Sequence, residues 1–411
     1  MEAIVERCCG LDVHQAQVTA CMLIGSADQR PKKVVRKFGT FTRDLLTLRE
    51  WLRESGCTHV AMESTGVYWQ PVYVVLEGDF ELVVGNAFHI KNVPGRKTDV
   101  KDAEWIADLL RHGLIAASFV PPKPIRELRD LMRYRTKLVR TRSAERNRLL
   151  RLLETANIKV SSVATNVFGT SGMLMLEALI VGEATPEAMA DLAIGRMRSK
   201  IEALQGALDG RVNEHHRFLL RLQLDRLKAI ADDLAKLDAF VDTKLKPYRR
   251  AREMLQTIPG VGAHTAATIL SEVGSDVSAF RTARHFAAWV GVCPGNNESA
   301  GKKMRAGVRK GNKHLRGALI EASLGAVRKR DSYIKAKYYK LKARCGPKRA
   351  AIAVAHKLAI AVFHVLANAV PYADLGGAYL DKLAGKRTAN HLVKRLESMG
   401  YRVQIEQPAP N

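Results

Sequence analysis

Two short stretches decide the fold of this 411-residue chain: GLDVH at residues 10–14 and AMESTG at residues 61–66. An apolar run of strand length leads into each acidic residue. Asp12 and Glu63 are therefore predicted to lie where buried strands end. Strand ends of an α/β sheet can converge on one point, so the two carboxylates are candidates for a shared site.

Further strand and helix signals surround these stretches within the first 115 residues. Strands are predicted at 4–9, 18–24, 34–41, 59–62 and 81–84, and helices at 43–55, 67–76 and 99–112. Three strands followed by alternating helix and strand is the element order of a ribonuclease-H-like fold. We therefore predict an α/β domain over residues 1–120.

After the break PPKP at 121–124 the pattern becomes helical, beginning with an arginine-rich helix at 125–156. Further on, a heptad with alternating spacings of four and three is typical of a coiled coil. Its positions are Leu220, Leu224, Leu227, Ala231, Leu234, Asp238 and Val241. A coiled-coil arm and a helical hairpin that folds back on the 125–156 helix fit this pattern equally well.

The breaks divide the rest of the chain into three segments, so the fold class is α/β at the front and all-α behind it. We predict an arginine-rich helical or coiled-coil arm at 121–250 and a mostly helical domain at 251–370. The segment 371–411 has Gly-Gly breaks, a basic helix near Lys394 and a Pro-rich end, which predict a partly disordered accessory tail.

The charge balance points to a polyanionic partner. The chain has 66 Lys and Arg against 41 Asp and Glu, a net charge of +25, which is typical of proteins that bind nucleic acid. Basic residues concentrate at 121–160 and at 301–350, where Glu321 and Asp331 are the only acids. A ribosomal or chromatin-like binder would share this charge, but it would not explain a front domain that resembles an enzyme.

Cysteine usage and hydropathy indicate a cytoplasmic protein. None of the six cysteines forms a C-x-x-C pair, which disfavours a zinc knuckle and fits reduced thiols. No secretory signal is visible at the N-terminus, and no apolar run reaches the ~20 residues of a membrane span. We expect no membrane partner.

Four acidic residues form the first candidate site, namely Asp12, Glu63, Asp99 and Asp102. Asp99 and Asp102 are three positions apart at a predicted helix start, so both project from one face. Singly, each could be a helix cap or a surface acid. Gathered together, four carboxylates repel unless a cation lies between them. Oxygen ligands suit Mg²⁺ or Mn²⁺, which can neutralise charge on a phosphate.

The second candidate site is LQTIPGVG at 255–262, a helix-hairpin-helix signature. Such a turn exposes backbone N–H groups that bind a DNA phosphate without reading sequence. Gly260, Val261 and Gly262 are the candidate contacts. A plain helix–helix turn is the alternative.

The third candidate site is PGNNESAGKK at 294–303, in which Ser299 lies in a loop of small residues. Cations that could stabilise a phosphoryl transition state surround it; they are Lys302, Lys303, Arg305, Arg309, Lys310 and Lys313. No histidine base is adjacent, and composition alone favours a serine that caps a turn. In the arginine-rich helix, Arg133 and Arg140 are further candidates for nucleic-acid contact.

These blocks resemble, in order, the DEDD transposases of bacterial insertion sequences (insertion-sequence-110 type), described as bridge-RNA-guided serine recombinases. GLDVH, AMESTGVYW and KTDVKDAEWIADLL are similar to the family's RuvC-type carboxylate domain. QTIPGVG, AAWVGVCP, SAGK and RKGNKHLR are similar to its C-terminal transposase domain. The resemblance covers about residues 5–370. This chain differs from the family pattern at Glu298, in a stretch that is usually rich in serine and glycine.

The resemblance implies a mechanism and a set of partners. The family's four acids fall on Asp12, Glu63, Asp99 and Asp102 and would hold Mg²⁺, and its nucleophile falls on Ser299. Ser299 would attack DNA and form a phosphoserine link. Acids and serine would come from different subunits of a dimer or tetramer. A non-coding bridge RNA would pair with donor and target DNA, using the front domain and the arginine-rich arm.

Two other interpretations remain open. A RuvC-like metal-dependent nuclease, such as a junction resolvase, would use the acids alone and leave no covalent adduct. A non-enzymatic nucleic-acid binder with a degenerate nuclease fold would not need the acids, so Asp12→Ala or Glu63→Ala would leave its function unchanged.

Overall fold

The computed structural model describes residues 3–26, 29–87, 90, 102–296, 298–299, 301–304, 307–383 and 385–404. The chain divides into two compact units, Met1–Val120 and Pro121–Asn411. The boundary falls at the proline-rich break that the sequence predicts.

A mixed five-stranded sheet with the order β3-β2-β1-β4-β5 forms the first unit. Its strands are β1 (Arg7–Val13), β2 (Gln17–Ile24), β3 (Lys32–Gly39), β4 (His59–Glu63) and β5 (Glu81–Gly85). Its helices are α1 (Thr42–Glu54), α2 (Trp69–Leu76) and α3 (Asp102–Arg111). The three antiparallel strands are followed by two parallel additions, β1 to β4 and β4 to β5. This confirms the predicted α/β class, whereas the finer ribonuclease-H-like assignment stays a prediction.

The two faces of the sheet are covered by different helices because side chains alternate along each strand. On β1, Cys9 and Leu11 point into a core shared with α1 and α2. Cys8 points to the other face, into a core shared with α3. Polar candidate residues on the sheet are therefore expected on one of these two faces, at the positions where the apolar cluster of that face ends.

The first strand begins and ends later than predicted. Residues 4–9 were the expected strand, but β1 occupies Arg7–Val13. Pairing with β2 continues to Val13 and Val18, and the His14 N–H then donates to the Gln17 carbonyl at 2.9 Å to close the turn. Ladder hydrogen bonds thus carry the strand through Gly10 and Asp12, where composition predicts a break. The helix predicted at 99–112 is described from Asp102 onward.

The second unit begins with two long helices and four short ones between them. These are α4 (Lys123–Thr155), α5 (Val160–Val163), α6 (Thr170–Val181), α7 (Pro186–Ala190), α8 (Ile201–Leu208) and α9 (Glu214–Leu245). The long helices α4 and α9 pack against each other within the chain. Ion pairs from Arg135 to Asp238 and from Lys244 to Glu127 fix an antiparallel direction. The helical-hairpin interpretation therefore describes this pair.

The remaining elements of the second unit are mostly helical, as predicted. They are α10 (Arg249–Gln256), α11 (Ala263–Val273), α12 (Ala283–Val290), β6 (Glu298–Ser299), β7 (Lys302–Lys303), α13 (Lys313–Ala326), α14 (Tyr333–Cys345), α15 (Pro347–Asn368), α16 (Tyr379–Leu383) and α17 (Gly385–Ser398). The central helix is α15, against which α10, α12, α13 and α14 pack.

The central helix α15 is also long and apolar enough to cross a membrane by length and composition. It has 22 residues, and half of its most apolar window is buried inside the protein. Val354, Leu358 and Val362 have no exposed surface at all. A core helix of a helical domain has these properties, since its apolar side chains are covered by its own neighbours.

Candidate functional site

Two of the four predicted acids end neighbouring parallel strands. The register pairs Leu11 of β1 with Met62 of β4, so Asp12 and Glu63 are the next residues on the two strands. Ala61, two positions before Glu63, belongs to the cluster under α3. Because side chains alternate, Asp12 and Glu63 both belong to the α3 face of the sheet. Each is half-buried.

The third acid lies at the start of the helix on that same face. Asp102 is the first residue of α3. The helix lies directly on β1, because a Cβ on Gly10 would be 2.2 Å from the Ala103 carbonyl oxygen and 2.3 Å from the Ala107 nitrogen. Gly10 therefore allows the close approach that places Asp102 on the side of the sheet occupied by Asp12 and Glu63.

The described acids do not complete a metal site by themselves. Across the residues that the structure describes, no three His, Cys, Asp or Glu side chains are close enough together to hold one ion. The fourth predicted acid, Asp99, lies outside the described residues. The structure thus brings three carboxylates to one face and leaves their joint ligation of a metal as a prediction.

Two polar neighbours of the acids were missed from the sequence. The Asp12 Oδ2 atom lies 3.1 Å from His14 Nε2, and the Thr65 hydroxyl donates to Glu63 Oε1. Both neighbours stand two residues after the acid they contact. That spacing, on the same side of an extended chain, was the available signal.

The predicted helix-hairpin-helix consists of α10, a turn and α11. Gly260 has φ +80°, and a Cβ there would lie 2.1 Å from the Ala322 carbonyl oxygen of α13. Val261 is buried, whereas Gly262 precedes α11 and is exposed with open space around it. Gly260 therefore lets the turn pack closely against α13, the side chain of Val261 is buried, and Gly262 leaves the helix start accessible. Phosphate binding there stays a prediction.

Ser299 lies on a β-hairpin rather than in the irregular loop that composition predicts. Strands β6 and β7 are antiparallel, with Ser299 opposite Lys302 and Glu298 opposite Lys303. The arms continue toward the helices, because the Gly295 N–H donates to the Gly307 carbonyl at 2.8 Å and the Arg309 N–H to the Cys293 carbonyl at 3.2 Å. The serine is therefore carried near the tip of an extended arm.

The base of this arm is fixed by Asn312. Its N–H donates to the Trp289 carbonyl at 3.1 Å. Its side-chain oxygen caps α13 by accepting from the N–H groups of His314 and Leu315. Its amide nitrogen donates to Glu272 Oε2 at 2.7 Å. Through its backbone N–H and its side chain, this one residue thus connects α12, α13 and α11.

Glu272 is a buried acid at the centre of four elements, with 1% of its surface exposed. Arg133 of α4 donates to both carboxylate oxygens, at 2.8 and 2.9 Å. Arg129 lies 3.2 Å away and also donates to the Glu272 carbonyl oxygen at 2.6 Å. Burial alone would raise the pKa of this carboxyl, but the two guanidinium groups and Asn312 outweigh it and hold the pKa below its ordinary value.

This pairing changes the interpretation of Arg133. A bidentate ion pair with a buried carboxylate uses the fork of the guanidinium, so Arg133 has a structural partner and we do not carry it into a nucleic-acid interface. Arg140, on the same helix, is exposed.

The other predicted cations lie on or near the arm. The exposed ones are Lys302, Arg309, Lys310 and Lys313. Lys303 belongs to β7, and Arg305 lies outside the described residues. The other serines of this region are poor alternatives to Ser299, because Ser323 and Ser332 are 0% and 1% exposed.

Comparison with known proteins gives two matches, of which the first extends past the boundary between the two units. A family model described as "Transposase", of the DEDD type, matches residues 9–158. A second model, "Transposase IS116/IS110/IS902 family", matches residues 252–340. The two matches contain the acids and the serine hairpin, respectively.

Relatives of this chain carry matching names. The "Transposase for insertion sequence element IS1111A" of Coxiella burnetii is 27% identical over 332 residues, covering 77% of this chain and 79% of the relative. The "Probable family 20 transposase" of Pseudomonas aeruginosa is 26% identical over 286 residues, covering 68% of this chain and 75% of the relative.

An α/β unit with strand-end carboxylates, followed by a basic helical unit, thus belongs to a transposase, an enzyme that cuts and rejoins DNA. Within that class, the chain is a member of the IS110 family of insertion-sequence transposases.

Proposed function

We propose that this transposase recombines DNA through a covalent phosphoserine intermediate formed by Ser299, with a divalent metal held by Asp12, Glu63, Asp99 and Asp102. The observation that supports the serine assignment is the burial of Ser323 and Ser332. Between residues 279 and 350 these are the only other serines, so their burial favours Ser299 by elimination.

The donor set suits a hard divalent cation. Carboxylate oxygens are the ligands that Mg²⁺ and Mn²⁺ prefer, and Asp12, Glu63 and Asp102 start from one face of the sheet. Such an ion would neutralise charge that builds on the phosphate during transfer. His14 and Thr65 would orient the Asp12 and Glu63 carboxylates through the hydrogen bonds described above.

The covalent step exchanges one phosphate ester for another. The Ser299 oxygen forms a bond to phosphorus while the bond from phosphorus to one deoxyribose oxygen breaks. The serine proton leaves to a base, and the departing deoxyribose oxygen takes up a proton. Attack by a deoxyribose hydroxyl of the other DNA then releases Ser299, so the cycle needs no external energy source.

Partners follow from the resemblance and the charge. Donor and target DNA are the substrates, and a non-coding bridge RNA supplies sequence choice. The net charge of +25 and the exposed Arg140 suit both nucleic acids. A dimer or tetramer would let one subunit's acids act with its partner's serine.

The test is a search for the covalent intermediate. Wild-type protein is incubated with RNA from the element's flank, labelled donor and target DNA, and Mg²⁺, and is then run on a denaturing gel. Ser299→Ala should abolish the DNA-linked protein band. Ser275→Ala, which removes an exposed serine of the same unit, is the matched control and should leave the band intact.

The outcomes separate serine recombination from metal-dependent hydrolysis. DNA cleavage without an adduct, unaffected by Ser299→Ala, would establish a RuvC-like nuclease in which water is the nucleophile. Asp12→Ala should then abolish cleavage in either mechanism, since both need the metal.

A further inference from the structure

A second basic surface lies on the helical hairpin formed by α14 and α15, away from the serine hairpin in sequence. Residues 332–373 contain eight cations and no acid. The cations are Lys335, Lys337, Lys340, Lys342, Arg344, Lys348, Arg349 and Lys357. In a chain with one acid for every ten residues (41 of 411), so long an acid-free stretch concentrates positive charge on one element pair.

The structure brings several of these cations to one side. Lys337, Lys340 and Arg344 are spaced by three and four, so they form a row along one face of α14. The helix α15 packs against α14. Burial, and then the like charges of Lys357, Lys340 and Arg344, lower the pKa of Lys337. Lys357 of α15 therefore extends the row of cations on α14.

Within the described part of the chain, these cations lack acidic partners. None of the eight cations has an ion-pair partner among the residues that the structure describes, although twenty ion pairs are formed elsewhere in them. Like charges held together without counter-ions destabilise the free protein. A polyanion that binds along the row removes this repulsion.

We propose that the α14–α15 surface binds the phosphodiester backbone of duplex DNA that flanks the reacting phosphates. The row spans about 10 Å, since seven residues rise by ~1.5 Å each, which is long enough to meet successive phosphates of one strand. Lysine predominates, and as a point charge it suits backbone contact rather than base readout. This proposal rests on the proposed function in that the ligand is the enzyme's own DNA substrate.

An anionic membrane is the competing partner, and the structure disfavours it. Membrane-surface helices present an apolar face beside their basic residues. Here the apolar side of α15 is covered, because Val354, Leu358 and Val362 have no exposed surface. The surface therefore offers charge without an apolar face to insert.

The test is the salt dependence of binding by the full-length protein. A fluorescent duplex of roughly 30 mixed-sequence base pairs is titrated by anisotropy between about 50 and 200 mM KCl. Lys337→Gln, Lys340→Gln and Arg344→Gln are combined in one variant. Each lost phosphate contact lowers the slope of log K against log salt by about 1, so the triple variant should lose about 3.

Two controls separate site-specific charge from folding and total charge. Combining Lys337→Arg, Lys340→Arg and Arg344→Lys keeps the charge and should retain the wild-type slope. Combining Lys236→Gln, Lys382→Gln and Lys394→Gln removes the same charge from exposed positions elsewhere and should also retain it. The glutamine variant of the α14 row should melt no lower than wild type, because it relieves repulsion.

An unchanged slope in the α14 variant would overturn the proposal, as would absence of duplex binding by the wild-type protein. A loss seen only with an RNA hairpin, or only with phosphatidylserine vesicles, would overturn the assignment to DNA. The measurement needs no cleavage. A protein that binds DNA as expected but forms no Ser299 adduct would contradict the serine mechanism and leave this surface assignment standing.

Discussion

At the scale of single residues, Glu272 connects α11 with Arg129 and Arg133 of α4 and with Asn312 at the start of α13. Replacement of its carboxylate by an amide leaves the partly buried Arg129 and Arg133 against a neutral group. Breaking one partner of a buried ion pair costs about 3–5 kcal/mol, so Glu272→Gln should lower the free energy of unfolding by that amount in a urea titration. Glu253→Gln removes an exposed partner of Arg249 and should leave the free energy of unfolding almost unchanged, because solvent screens exposed ion pairs.

The Glu272 carboxylate also makes the stability of the protein depend on pH in the acidic range. The pKa of Glu272 is lower in the folded protein than its ordinary value, which is about 4.3 in an unfolded chain. Its contribution to stability is therefore complete above that value and is lost as pH falls through the lower, folded pKa. Unfolding free energy measured from about pH 6 to pH 3 should fall more steeply in wild type than in Glu272→Gln. Parallel curves would contradict this role.

Sequence reasoning found Asp12, Glu63 and Asp102 but missed Glu272, and the difference has a physical cause. The first three follow strand or helix signals that place them at element ends. Glu272 lies within the apolar stretch AATILSEVG, where the local sequence shows it only as an isolated acid. Its partners Arg129 and Arg133 are about 140 positions away, so only the packing of α4 on α11 brings them together. An acid at a core position of a helix was the available signal.

At the scale of elements, the turn between α10 and α11 depends on one of its two glycines. Gly260→Ala puts a methyl group against the Ala322 backbone at a positive φ, which should cost more than about 2 kcal/mol in unfolding free energy. Gly262→Ala meets open space at φ −85° and should cost under about 1 kcal/mol. Equal losses for the two variants, measured by urea unfolding, would contradict the packing role of Gly260.

Element prediction succeeded where periodicity is long and failed where pairing is distant. Helices α4 and α9 have 33 and 32 residues. Their apolar spacing therefore repeats often enough to predict a helix from the sequence. Strands β6 and β7 have two residues each and no alternation to detect. Their hairpin forms because backbone groups at 293–295 and 307–309 are hydrogen-bonded to each other. Pairing between residues this far apart cannot be predicted from the local composition.

At the scale of the whole molecule, the candidate acids and the serine hairpin belong to different units. Asp12, Glu63 and Asp102 belong to Met1–Val120, and Ser299 belongs to Pro121–Asn411. Neither unit contains the complete set of predicted catalytic groups. Assembly between chains is one way to complete it, and it makes a quantitative prediction.

Mixing two inactive variants should restore recombination if one subunit's acids act with its partner's serine. In a 1:1 mixture of Asp12→Ala and Ser299→Ala, random pairing makes half of the dimers mixed, and each mixed dimer has one intact site of two. About a quarter of the wild-type adduct should therefore return on the denaturing gel. Asp12→Ala mixed with Glu63→Ala is the matched control, since every site then has a defective acid set. An inactive first mixture would place acids and serine of one chain in the same site, and subunit exchange, followed with two affinity tags, would confirm that mixed dimers had formed.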